Sequence, residues 1–147
     1  MANDEHRLPS LTVQVVYEDL PDLIEIEARV LSGDWSGIAR AYTSPSSLAE
    51  TARGLLAWTG RPREEFTLDA GTDTGIGWSE MRWYPIDRAG HLACHVTLAT
   101  PAIGDRSETV WRLSLEIRTE TAAVERFARQ LIAVAETRTG EAVLAGA

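Results

Sequence analysis

The sequence predicts an α+β fold, with an antiparallel sheet of about six or seven strands and two helices packed on one face. Three observations predict it. Segments of alternating apolar and polar residues recur along the chain with turn signals between them. Two stretches of helical period interrupt those segments. The strands read as two-sided, as an antiparallel sheet with one wet face requires, and not as the uniformly apolar runs of a buried parallel sheet. A length of 147 residues, 44% of them hydrophobic, suits one domain with a sizeable core. The domain is expected to span residues 1–147, with 1–10 and 141–147 as flexible tails.

Leu11, Val13, Val15 and Tyr17 alternate with Thr12, Gln14 and Val16, which reads as a strand with one buried face. Residues 18–22 break it. From Leu23 to Leu31, Ile24, Ile26, Ala28 and Val30 oppose Glu25, Glu27 and Arg29. Ser32-Gly33-Asp34 is a turn signal, and Trp35 to Thr43 follows as the return strand. A turn at Gly33-Asp34 sets Glu27 opposite Arg40 and Glu25 opposite Tyr42, placing opposite charges across the pair. Ser44-Pro45 opens a helix, with the hydroxyl as cap and proline in the donor-free first turn. Its inward stripe is Leu48, Ala52, Leu55 and Leu56, and Gly60 and Pro62 end it. A short strand at Glu65–Ala70 leads to a glycine-rich loop over 71–77.

The next hairpin joins Trp78–Ile86 to His91–Ala99 through Asp87-Arg88-Ala89-Gly90. Its register puts Met81, Trp83 and Pro85 on a face with Leu92, Cys94, Val96 and Leu98. The other face carries Trp78, Glu80, Arg82 and Tyr84 beside His91 and His95, with Arg82 directly across from His95. Ser107–Arg118 is a long strand, with Trp111, Leu113, Leu115 and Ile117 inward and Arg112 and Glu116 outward. The last helix is expected to be capped by Thr119 or Thr121. It buries Val124, Phe127, Ala128, Leu131 and Ala135 and stops at Gly140. No internal repeat is evident.

Composition narrows the function. The net charge is −8, and residues 1–50 alone hold 9 acidic residues against 3 arginines. A nucleic-acid surface needs cations that neutralise phosphate, so this balance argues against that role. It favours a basic protein partner, met through Asp19, Asp22, Glu25 and Glu27. All 14 basic residues other than histidine are arginine, and with the many alanines this indicates GC-rich bacterial coding. One cysteine, no apolar run of membrane-spanning length and a polar N-terminus predict a reduced, cytoplasmic protein that binds no membrane. Oligomeric state is not legible.

Candidate chemistry is sparse. His91 and His95 stand four apart on a strand, about 13 Å, too far to share a metal. No metal and no cofactor is implied. Cys94 alternates with core residues and reads as a small hydrophobe. The loop Gly71-Thr-Asp-Thr-Gly-Ile-Gly77 has no following lysine and opens no helix, so it meets neither phosphate-loop pattern. The one constellation with chemical potential is Glu80, Arg82, Tyr84 and His95, with Arg112 from the next strand. These residue types on one face suit anion binding or acid–base work, against the plainer reading of a solvated charge network.

Around Arg82-Trp-Tyr-Pro-Ile-Asp-Arg-Ala-Gly-His91, followed by alternating apolar residues and a C-terminal amphipathic helix, the chain resembles a family of small uncharacterised bacterial α+β proteins. The hairpin carries the match, as an aromatic-x-x-Asp-x-x-Gly-His pattern, and the resemblance extends over Leu23–Ala135. It implies a bacterial α+β domain and brings no catalytic residues. The reading is therefore a non-enzymatic interaction or accessory, immunity-type module. The alternative is a small-molecule-binding protein or enzyme using the face around Arg82 and His95.

Overall fold

The computed structural model describes residues 9–71, 77–101 and 110–146. His6, the triplet Asp73-Thr74-Gly75 and the expected strand start at Ser107 lie outside them. The elements run β1 (Ser10–Leu20), β2 (Leu23–Ser32), β3 (Trp35–Thr43), α1 (Pro45–Thr59), β4 (Phe66–Gly71), β5 (Trp78–Pro85), β6 (His91–Pro101), β7 (Val110–Glu120), α2 (Thr121–Thr137) and β8 (Glu141–Ala145).

The α+β class and the antiparallel pairing hold, but the single sheet does not. The strands form two four-stranded sheets, ordered β3-β2-β1-β8 and β4-β5-β6-β7. The alternation that identifies each strand reports its buried face and not its neighbours, so it could not separate one sheet from two. The expected C-terminal tail is also corrected. Residues 141–145 form β8, which pairs with β1 from Gln14↔Glu141 to Ser10↔Ala145 and buries Ala142 and Leu144.

The two hairpin registers are as the turn chemistry requires. Glu27 faces Arg40 and Glu25 faces Tyr42, while Arg82 faces His95 and Trp83 faces Cys94. Asp87 closes the second hairpin by accepting the N–H groups of Ala89 at 2.8 Å and His91 at 3.3 Å. A bulge between Val15 and Tyr17 turns Tyr17 out to solvent, against the simple alternation.

Ser44 caps α1 as expected, accepting from the Ser47 N–H at 3.1 Å. Neither threonine caps α2. Glu120 occupies the cap position without a side-chain bond, and both the N–H and the hydroxyl of Thr121 donate to the Gly90 carbonyl, at 3.1 and 3.2 Å. The helix start is thereby tied to the β5–β6 loop. Its end is tied to the β1–β2 turn, because Arg138 reaches Glu18 at 3.0 Å and the Pro21 carbonyl.

Both sheets turn their apolar faces to one core that also takes the inward stripes of α1 and α2. Trp83 packs on Phe127 with ring centroids 5.6 Å apart. Strand β3 runs across the ends of β4, β5 and β6, and its main chain comes close at Gly77. A Cβ there would lie 2.1 Å from the Arg40 carbonyl oxygen, so only glycine fits. Strand β7 in turn meets β3 at Gly37 and Leu113, and at its far end the Thr119 hydroxyl donates to the Ala145 carbonyl at 3.0 Å.

The topology repeats although the sequence does not. Each half is three antiparallel strands, a helix and a strand: β1-β2-β3-α1-β4, then β5-β6-β7-α2-β8. In each half the last strand leaves its own sheet and joins the other half's, β4 beside β5 and β8 beside β1. Trp35 and Trp111 stand nine residues before the caps of the helices that follow them, and Arg40 and Glu116 stand four before. Cross-strand pairing then makes the row Gln14–Glu27–Arg40 equivalent to Arg82–His95–Glu116.

Candidate functional site

The polar face of the second sheet carries the expected constellation in rows. Arg82, His95 and Glu116 form one row across β5, β6 and β7, and Glu80, Thr97 and Ser114 form the next. Trp78 and Arg112 flank Ala99 in a third, with the Arg112 guanidinium 5.6 Å from the Trp78 ring centroid, a cation–π distance. The Tyr84 hydroxyl donates to Glu116 at 2.6 Å. That bond, then burial, raises the phenol's pKa. Glu116 also faces Arg118 at 3.5 Å, and Arg82 stands 3.9 Å from Glu65. His95 is half-buried, with no hydrogen-bond partner among the described residues. The structure thus puts Tyr84 and His95 beside Glu116, an outward residue of β7 that is not among the candidate site residues, with Arg82 on the far side of His95. Glu80 and Arg112 lie in the neighbouring rows. The network is only partly paired: Tyr84 and Glu116 are hydrogen-bonded, while the buried Arg82 Nε has no hydrogen-bond partner among the described residues. Among the described residues no three His, Cys, Asp or Glu side chains cluster as a metal site.

The acidic set gathers only in part: after burial, Glu25 and then Asp19 raise the pKa of the Tyr42 phenol. Asp19 and Asp22 are exposed at the β1–β2 turn, Glu25 is half-buried beside Tyr42, and Glu27 is only 5% exposed. Glu27 accepts from Arg40 at 3.1 Å and Gln14 at 3.3 Å and has Arg29 at 3.5 Å. Burial pushes its pKa up, but these donors outweigh burial and hold it below the usual carboxylate range. It is a buried, neutralised ion and not a free docking charge.

A different feature stands out where β3 meets the second sheet. Trp35 is 66% exposed and Trp111 65%, and they flank a cleft of about 280 Å³. Ser36 and Ile38 line the β3 side, with Leu98, Arg112 and Leu113 opposite. Two hollows adjoin it. One of about 400 Å³ is bordered by Arg29, Leu31 and Ile38. The other, of about 510 Å³, is bordered by Glu25, Glu27 and Arg40. Ile38 is exposed and common to all three.

Alternation had assigned Trp111 to the core face. It does lie on that side of β7 but beyond the last core residue, so the indole projects past the edge of the apolar layer. Trp35 does the same at the equivalent point of β3. A tryptophan beside the Ser32-Gly33-Asp34 turn was the available signal for Trp35, but the meeting of the two strands was invisible in either segment.

Among the described residues no helix is long and apolar enough to cross a membrane. Set against protein-family models, curated proteins and solved structures, the chain matches none.

Proposed function

We propose that the chain is a non-enzymatic protein-interaction module that binds its partner at the cleft between Trp35 and Trp111. The observation that carries this is the pair of exposed tryptophans, one from each half of the molecule, converging on one cleft with Ile38 between strands. Water-exposed indole surface is unfavourable unless something covers it, and tryptophan with arginine is the composition of interface hot spots. The acidic turn at Asp19 and Asp22 lies at the opposite end of β2 from Trp35, and of the acidic set only Glu25 and Glu27 border a hollow beside the cleft.

The test is selection from a displayed random-peptide library on immobilised wild type and on the double variant Trp35→Ala/Trp111→Ala. Wild type should enrich peptides that compete with one another, and the double variant, with circular dichroism unchanged, should enrich none of them. Equal enrichment on both proteins, or none on wild type, would remove the cleft as the binding surface.

A further inference from the structure

We propose that the cleft takes an extended partner segment, apolar in its middle and flanked by carboxylates, which adds to the free edge of β3 as a further strand. The inference rests on the interaction reading above and names the occupant. β3 is an edge strand, so its outer side presents main-chain donors and acceptors with no strand beside them in the sheet among the described residues. Near Arg40 that side is shut by the close approach of Gly77. From Trp35 to Ile38 it borders the cleft instead. Four residues of strand span about 13 Å, enough for short strand addition, in which the main chain supplies affinity and alternate side chains supply selectivity. Trp35, Ile38, Trp111 and Leu113 offer apolar surface to those side chains.

Charge selects the flanks. The molecule carries −8, yet Arg29, Arg40 and Arg112 border the cleft and its adjoining hollows, against Glu25 and Glu27. Glu27 engages one nitrogen of Arg29 and one of Arg40. Both arginine side chains remain more than half exposed, so their other N–H groups face outward. Arg112 lies over Trp78 and has no carboxylate partner among the described residues. A positive rim on an acidic protein favours carboxylates, which guanidinium groups bind through paired, charge-assisted hydrogen bonds.

The test uses the full chain and capped peptides of alternating Val and Thr, flanked at both ends by Glu, Lys or Ser. Two further Glu-flanked peptides are N-methylated at one or the other set of alternate residues. Binding is followed by calorimetry and by tryptophan emission. The Glu-flanked peptide should bind, the Lys-flanked one at least about tenfold more weakly. One methylated set should abolish binding. Arg112→Glu should invert the charge preference with the melting temperature unchanged. Tighter, Trp35-dependent binding of the Lys-flanked peptide would overturn the occupant's chemistry while leaving the cleft a binding surface. Binding of both methylated peptides would overturn strand addition. Concentration-dependent dimerisation lost in Trp35→Ala would assign the cleft to a second copy. No binding by any peptide of the set would overturn the extended occupant, and the library selection decides separately whether the cleft binds protein segments at all.

Discussion

Glu27 sits almost buried between three donors, and its removal should be felt more than that of Arg29, whose loss leaves Arg40 and Gln14 in place. Glu27→Ala loses charge-assisted hydrogen bonds and should lower stability by about 1.5–3 kcal/mol in chemical denaturation. Arg29→Ala, at an exposed position, should lower it by less than about 1 kcal/mol. Because the folded state holds the Glu27 pKa down, its contribution is present above the ordinary carboxylate pKa and is lost as pH falls through the depressed folded value. Asp87, held down chiefly by its 2.7 Å contact with His91 and by the Ala89 N–H, acts with the same sign. Denaturation midpoints measured down an acid series should fall, and less steeply in Glu27→Ala. Cys94 was legible as a core residue from alternation alone. Burial pushes its thiol pKa well up, so it should resist a thiol-specific reagent in the native protein and react fully in denaturant. Fast labelling of native protein would show that the β6 register is wrong.

At the scale of elements, β8 is the sharpest departure from expectation. Leu144→Ala should cost about 2–5 kcal/mol, comparable to Leu131→Ala in the centre of α2, since both side chains are fully buried. A loss below about 1 kcal/mol at Leu144, read in the same denaturation experiment, would restore the frayed tail. The long strands and both helices were legible because each carries several turns of its own period. Turn residues also set the two hairpin registers, which is why the Arg82–His95 and Glu27–Arg40 neighbours could be read. Strand β8 has only five residues and one large apolar side chain. Its strand character comes from pairing with β1, a partner more than a hundred residues away. The start of α2 was misread for a related reason. The group that satisfies Thr121 is the Gly90 carbonyl, outside the local sequence.

At the scale of the molecule, the candidate site was half legible. The polar row could be assembled because one hairpin supplies most of it. The cleft could not, because Trp35 and Trp111 belong to different sheets and meet only through the crossing of β3 and β7. The approach of β3 to the start of β5 makes a separate prediction. Gly77→Ala would drive a methyl group into the main chain at Arg40, which cannot swing aside as a side chain can. The loss should exceed about 3 kcal/mol, beyond the ordinary range for single substitutions. Thermal melting of the variant beside Gly60→Ala, which meets nothing nearer than 3.4 Å, checks it.

The exchange of β4 and β8 between the halves bears on how the protein opens. Neither sheet can come apart from the other while both exchanged strands stay in place, so neither half is a separate foldon. Native-state hydrogen exchange should therefore find the amides of β1, β2, β5 and β6 sharing one opening free energy, equal to that of global unfolding. Pairing β1 with β8 also closes a loop of nearly the whole chain, which raises contact order and slows refolding relative to a protein of two independent meanders. Two groups of amides with distinct opening energies, divided between the sheets, would show that the halves open separately.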